Sequence, residues 1–115
     1  MKYALITGAS RGIGKAIAIK LAKELQINIL LNFHSNIEAA NATKELVEAE
    51  NVHCELLQFD VADPENTTKT LEDFRINNPD AEIEIIVNNA GITSDGLFMW
   101  MKPADWHSVI NTSLN

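Results

Sequence analysis

The chain has a single cysteine, Cys54, among its 115 residues, so no disulfide can close within it. No Cys/His spacing suits zinc, and no metal site is expected. Cys54 falls inside an apolar stretch, which reads as a small core or edge residue and not as a nucleophile. Basic charge is scarce too: 9 Lys and Arg stand against 16 Asp and Glu, for a net charge of −7. That balance favours solubility and excludes bulk attraction to nucleic acid or anionic membrane, while leaving room for a local phosphate site. No apolar run approaches the roughly eighteen residues that would suggest a bilayer span. No secretory leader precedes the first apolar segment, so a cytoplasmic location is expected. What remains is 46% hydrophobic and 22% charged, ordinary for a soluble α/β protein. The length suits one domain, 1–115, with a real core.

The hydrophobic period switches back and forth along the chain. Tyr3–Ile6 is a short continuous apolar run, expected of a strand buried on both faces. After a glycine-rich turn, Ile13, Ala16, Ile17, Leu21 and Leu25 recur at helical spacing. Ile27–Phe33 reads as a second strand, 37–49 as a helix and Val52–Phe59 as a third strand. Asp63-Pro64 predicts a helix start, because the carboxylate can accept a free amide and proline suits the first helical position. That helix turns Leu71 and Phe74 inward and ends near Asn77-Asn78-Pro79. Ile83–Val87 reads as a fourth strand; a loop follows, and Pro103 is expected to open a last helix running to Asn115. The order β-α-β-α-β-α-β, then the start of a helix, predicts a parallel doubly wound sheet of Rossmann type, first half only. With the fourth strand last, its outer edge is expected to be exposed or covered by another chain.

Thr7-Gly8-Ala9-Ser10-Arg11-Gly12-Ile13-Gly14 lies between the first strand and the first helix, where a phosphate loop belongs. Gly8 permits the tight turn, Gly12 lets backbone approach a pyrophosphate, and Gly14 allows close packing of helix on strand. The helix amino end then offers unpaired N–H groups and partial positive charge to phosphates. A helix start that needs glycines only for packing is the blander alternative.

The octet resembles the cofactor loop of the short-chain dehydrogenase/reductase family, and two further motifs fit that resemblance. Asp60-Val61 closes the third strand, where the family's carboxylate takes the adenine amino group and the next amide reaches the ring. Asn88-Asn89-Ala90-Gly91 closes the fourth strand; the resemblance implies that Ala90 and Gly91 lie against the ribose and nicotinamide side, and that Asn88 helps to stabilise the central sheet. Taken singly, Asp60 reads equally well as a strand-end turn residue, and the two asparagines as Asx turns.

An NAD-preferring site usually places a carboxylate at the end of the second strand. Here the run is Asn32-Phe33-His34-Ser35-Asn36, with Phe33 where the acid would stand. Arg11 in the glycine loop can pair with a 2′-phosphate, and His34 and Ser35 can add hydrogen bonds. The expected cofactor is NADP(H), held by Gly8, Ser10, Arg11, Gly12, Ile13, Gly14, His34, Ser35, Asp60, Val61, Asn88, Ala90 and Gly91.

Within the family, the stretch from Ile92 through Met101 and the Trp106-His107-Ser108-Val109-Ile110 run are similar to 3-oxoacyl-[acyl-carrier-protein] reductases. The resemblance implies reduction of a 3-oxoacyl thioester on acyl carrier protein, in fatty acid synthesis. It also implies a homo-oligomer, with Val109, Ile110 and Leu114 in a subunit interface. Two positions depart from the pattern. Ser113 stands where relatives carry the tetrad asparagine, and Trp100 where they often carry a basic residue. The family's catalytic Ser and Tyr-x-x-x-Lys lie downstream of the matched region, and the only tyrosine here, Tyr3, is in the first strand. The isolated chain is therefore expected to be inactive. A non-catalytic nucleotide-binding module, and a same-family reductase of another carbonyl compound, are the alternatives.

Overall fold

The computed structural model describes residues 1–9 and 12–89, together with the backbone of 108–111. Its elements are β1 (Lys2–Ile6), α1 (Gly12–Leu25), β2 (Asn28–Phe33), α2 (Ile37–Glu48), β3 (Cys54–Gln58), α3 (Pro64–Asn77), β4 (Glu82–Asn88) and β5 (Ser108–Asn111). All five strands pair in parallel in the order β3-β2-β1-β4-β5. Strand order reverses between β1 and β4, so their carboxyl ends flank the crevice where α/β sheets bind ligands.

Strand alternation divides the core between two sheet faces. Ala4, Ile6, Ile29, Leu31 and Phe33 form one cluster with Ala18 and Ala22 of α1 and Ala40 and Val47 of α2. Tyr3, Leu5 and Leu30 form the other with Leu71 and Phe74 of α3. A register shift between Tyr3 and Ala4 skips Glu84 on β4, which sends Ile83 to the α3 side and leaves Ile85 against the α1/α2 side. Without that bulge the two isoleucines would share a face.

The helices start as their capping residues dictate. Asp63 accepts the Asn66 amide at 3.2 Å and Pro64 follows it; Asn36 accepts the Ala39 amide at 3.0 Å and starts α2. Cys54 is fully buried in the first cluster, as expected of a core residue.

One element differs from expectation. The segment expected to be a closing helix carries a strand at Ser108–Asn111, paired with Ile85–Asn88 of β4. Its centre, Val109-Ile110, is β-branched and suits a strand. The open edge of β4 presents a row of backbone groups that such a strand satisfies. The outer edge of β4 is thus covered from within the chain, and β4 is not the last strand.

Candidate cofactor-binding site

The carboxyl ends of β1, β2, β3 and β4 place the predicted residues along one rim of the sheet. At the end of β1, Thr7 is fully buried and its amide donates to Val87 O at 3.1 Å. Its hydroxyl accepts the Asn89 amide at 3.0 Å and lies 3.4 Å from both Val87 O and Asn88 Oδ1. Asn89 Nδ2 donates to Gly8 O at 3.3 Å. The β1 and β4 ends are therefore bonded across the switch point, and the buried Asn88 belongs to that join.

Gly8 turns the chain with φ +62°, and Gly12 opens α1 with φ +66°. Among the described residues other than its chain neighbours, a Cβ on Gly12 would meet nothing within 4 Å. The first turn of α1 contains no acid, and beside Gly12 the Ile13 side chain is 49% exposed. Gly14 is different: a Cβ there would collide with the Gly8 carbonyl and with Asn89. The expected packing role of Gly14 thus has a visible cause.

At the end of β2, Phe33 is buried in the α1/α2 core and presents no acid. His34 and Ser35 are exposed on the turn into α2. His34 Nε2 lies 3.9 Å from Asp60 Oδ2. Asp60 is held from several directions: Oδ1 accepts the Ala62 amide at 2.9 Å, its amide donates to Asn66 Oδ1 at 2.9 Å, and its carbonyl accepts the Thr67 hydroxyl at 3.2 Å. The turn role and an outward-facing carboxylate oxygen coexist in one residue. Val61 packs its side chain, partly buried, on the α3-side core. Ser10, Arg11, Ala90, Gly91, Trp100, Leu114 and Ser113 lie outside the described residues.

Three residues of this rim were not among the predicted cofactor contacts: Thr7, Asn89 and, above all, Asn32. The first two carried a signal in their position inside the two motifs. Asn32 carried a fainter one, a polar residue within an otherwise apolar β2 run.

Tyr3 cannot serve this rim. It is buried on the α3 side, edge-on to Phe74 at 5.4 Å, and burial with the nearby Glu55 charge pushes its phenol upward. Among the described residues, no helix is long and apolar enough to cross a membrane.

Residues 2–115 match the short chain dehydrogenase family. The chain is 40% identical over 113 residues to the 3-oxoacyl-[acyl-carrier-protein] reductase FabG of Staphylococcus aureus, covering 98% of this chain and 45% of that protein. It is 40% identical over 114 residues to the FabG of Pseudomonas aeruginosa, covering 99% of this chain and 44% of that one. Among solved structures, acetoin dehydrogenase from Enterobacter cloacae matches with a TM-score of 0.71 at 26% identity, over 86% of this chain and 46% of that one. The chain thus spans less than half the length of these relatives. A family match across nearly every residue, on a parallel sheet of this order, makes the chain a member of the short-chain dehydrogenase family.

Proposed function

We propose that the chain is the NADP(H)-binding part of a carbonyl reductase, and that the enzyme's substrate is a 3-oxoacyl thioester carried on acyl carrier protein. The observation that carries this reading is Gly12 at the amino end of α1, where an added Cβ would meet no described residue beyond its chain neighbours within 4 Å and the first helical turn holds no acid. A pyrophosphate there would meet the N–H groups of the first helical turn, which holds no acid. Gly8, Ser10, Gly12, Ile13 and Gly14 would hold that group, with Arg11, His34 and Ser35 at the 2′-phosphate. Asp60 and Val61 would receive the adenine, and Asn88, Ala90 and Gly91 the nicotinamide side. Bound NADPH supplies a hydride to the substrate carbonyl carbon.

This chain's residues bind and orient the cofactor. Tyr3 is buried in the core and supplies no proton to this rim. The chain alone is expected to bind the nucleotide without turnover. The 3-oxoacyl assignment rests on the 40% identity to the two FabG reductases. A second reading, reduction of a small ketone, is favoured by the likeness to acetoin dehydrogenase. Cytoplasmic location and homo-oligomeric assembly accompany the first reading.

Titration calorimetry of the full chain with NADPH and NADH is the test. Tighter binding of NADPH is expected; binding of neither nucleotide overturns the proposal. A reductase built on this chain, assayed with a 3-oxoacyl thioester and with acetoin, separates the two substrate readings.

A further inference from the structure

Asn32 is a polar side chain only 2% exposed in the middle of an apolar sheet. A buried carboxamide must satisfy an acceptor and two donors or destabilise the fold. Here all are engaged, and by two separate parts of the rim. Oδ1 accepts the Gly8 amide at 3.0 Å. Nδ2 donates to Phe59 O at 3.1 Å and to Leu57 O at 3.3 Å. The chemistry fixes the orientation: with the amide reversed, an NH2 would face the Gly8 N–H and a carbonyl would face two carbonyls. The main chain adds a further tie, since Asn32 O accepts the Ala9 amide at 3.1 Å. Two successive loop amides therefore rest on this one residue, while its side chain also grips the residue before Asp60.

We infer that Asn32 is a positioning residue that couples the glycine loop to the β3 end, setting the phosphate and adenine ends of the crevice at a fixed separation. The inference rests on the reading of this crevice as the dinucleotide site. Asn32 is beneath that crevice and touches no ligand; it acts through Gly8 and through the Phe59-Asp60 turn. Because both nucleotides share a pyrophosphate and an adenine, its loss weakens NADPH and NADH by the same factor. Loss of a residue that meets the 2′-phosphate weakens only NADPH.

Asn32→Asp keeps the shape and the acceptor for Gly8 but removes both donors, and Asn32→Ala removes everything. Each variant of the full chain is expected to bind both nucleotides roughly tenfold more weakly, the loss typical of one buried hydrogen bond, with the NADPH:NADH ratio unchanged. In Asn32→Ala, amide exchange at Gly8 is expected to accelerate roughly tenfold beyond that at Leu30 in the sheet centre. Equal acceleration at Gly8 and Leu30, or a changed nucleotide ratio, overturns the inference and leaves Asn32 a purely structural residue. Should the variants fail to fold, the wild-type chain still decides. A scalar coupling across the hydrogen bond from the Gly8 nitrogen to Asn32 Cγ is expected by NMR, and its absence refutes the tie. If the wild-type chain binds neither nucleotide, the proposed function fails, while the exchange and coupling measurements still judge the tie from Asn32 to the loop.

Discussion

Gly14 lies so close to Asn89 that a single added carbon would stand 2.6 Å from the Asn89 side-chain nitrogen. It would also stand 2.9 Å from Ala9 Cα and would strike the Gly8 carbonyl. Asn89 donates to that same carbonyl, so the extra methyl group pushes on both partners of one hydrogen bond. Most of what it meets is backbone, which cannot swing away. Gly14→Ala is expected to lower unfolding free energy by about 1–3 kcal/mol, the range for overpacking a tight contact. Urea denaturation of the two proteins measures it, and equal midpoints would show that the loop has room to give.

Gly12→Ala should behave in the opposite way. Among the described residues other than its chain neighbours, no atom lies within 4 Å of its would-be Cβ, so the positive φ of +66° is what opposes the change there. That strain costs about 1–2 kcal/mol. The methyl group would stand in the cradle proposed for the pyrophosphate. A fall in NADPH affinity much larger than the fall in stability is the expected pattern, read by calorimetry beside denaturation. Unaltered affinity would place the phosphate elsewhere.

Most of this architecture was legible because local chemistry dictated it. Asp63-Pro64 starts α3 as expected, and the apolar runs through β1 to β4 match their strands to within one or two residues. What escaped depends on partners distant in sequence. The role of Asn32 arises only once β2 and β3 pair with Asn32 opposite Leu57 and the loop folds back over them. Likewise, the bulge at Glu84 follows from the β1–β4 register and leaves no mark in the apolar pattern of Ile83-Glu84-Ile85. At 108–111, Trp106 and Val109-Ile110 fit helical spacing as well as a strand, and the free edge of β4 decided between them. A short apolar run cannot resolve that choice by periodicity alone.

Arg11 tests the cofactor preference. The end of β2 carries no carboxylate of its own, Phe33 being packed into the core, although the Asp60 carboxylate of β3 reaches to 3.9 Å from His34. In the proposed site, Arg11 in the glycine loop supplies the charge that attracts a 2′-phosphate, with His34 and Ser35 adding hydrogen bonds. Arg11→Ala is expected to weaken NADPH roughly tenfold, as for loss of one charge-assisted hydrogen bond, and NADH hardly at all. Equal losses for the two nucleotides would remove the 2′-phosphate argument.

Thr7 tests the join at the switch point. Its buried hydroxyl accepts the Asn89 amide and faces Val87 O and Asn88 Oδ1, so Thr7→Val keeps the volume but removes that oxygen from the join, while the Asn89 amide keeps Val87 O and Val87 O keeps the Thr7 amide. Loss of one buried hydrogen bond whose partners keep others costs about 0.5–1.5 kcal/mol. A drop in thermal midpoint is expected, together with faster amide exchange at Asn89 than at Leu30. If the two amides respond alike, the hydroxyl is not what holds β1 to β4 at this point.

Cys54 gives the fold a dependence on high pH whose sign can be worked out. Burial pushes the thiol from its ordinary 9.0 up to about 12; the Glu48 and Glu55 charges add to the rise and Lys44 opposes it. The unfolded chain therefore loses this proton near pH 9 while the folded chain keeps it. In that interval the unfolded state binds fewer protons, so stability falls as pH rises, at a rate approaching about 1.4 kcal/mol per pH unit from this residue. The phenol of Tyr3, also pushed upward from 10.0, adds to the fall above pH 10. Urea denaturation across this range should show the decline beginning near pH 9 in the wild type and at higher pH in Cys54→Ala, where the Tyr3 contribution remains. At neutral pH a thiol reagent should leave the folded protein unmodified and label it once urea unfolds it. Rapid labelling of the native chain would mean that β3 opens at Cys54 and that the thiol is not held in the core.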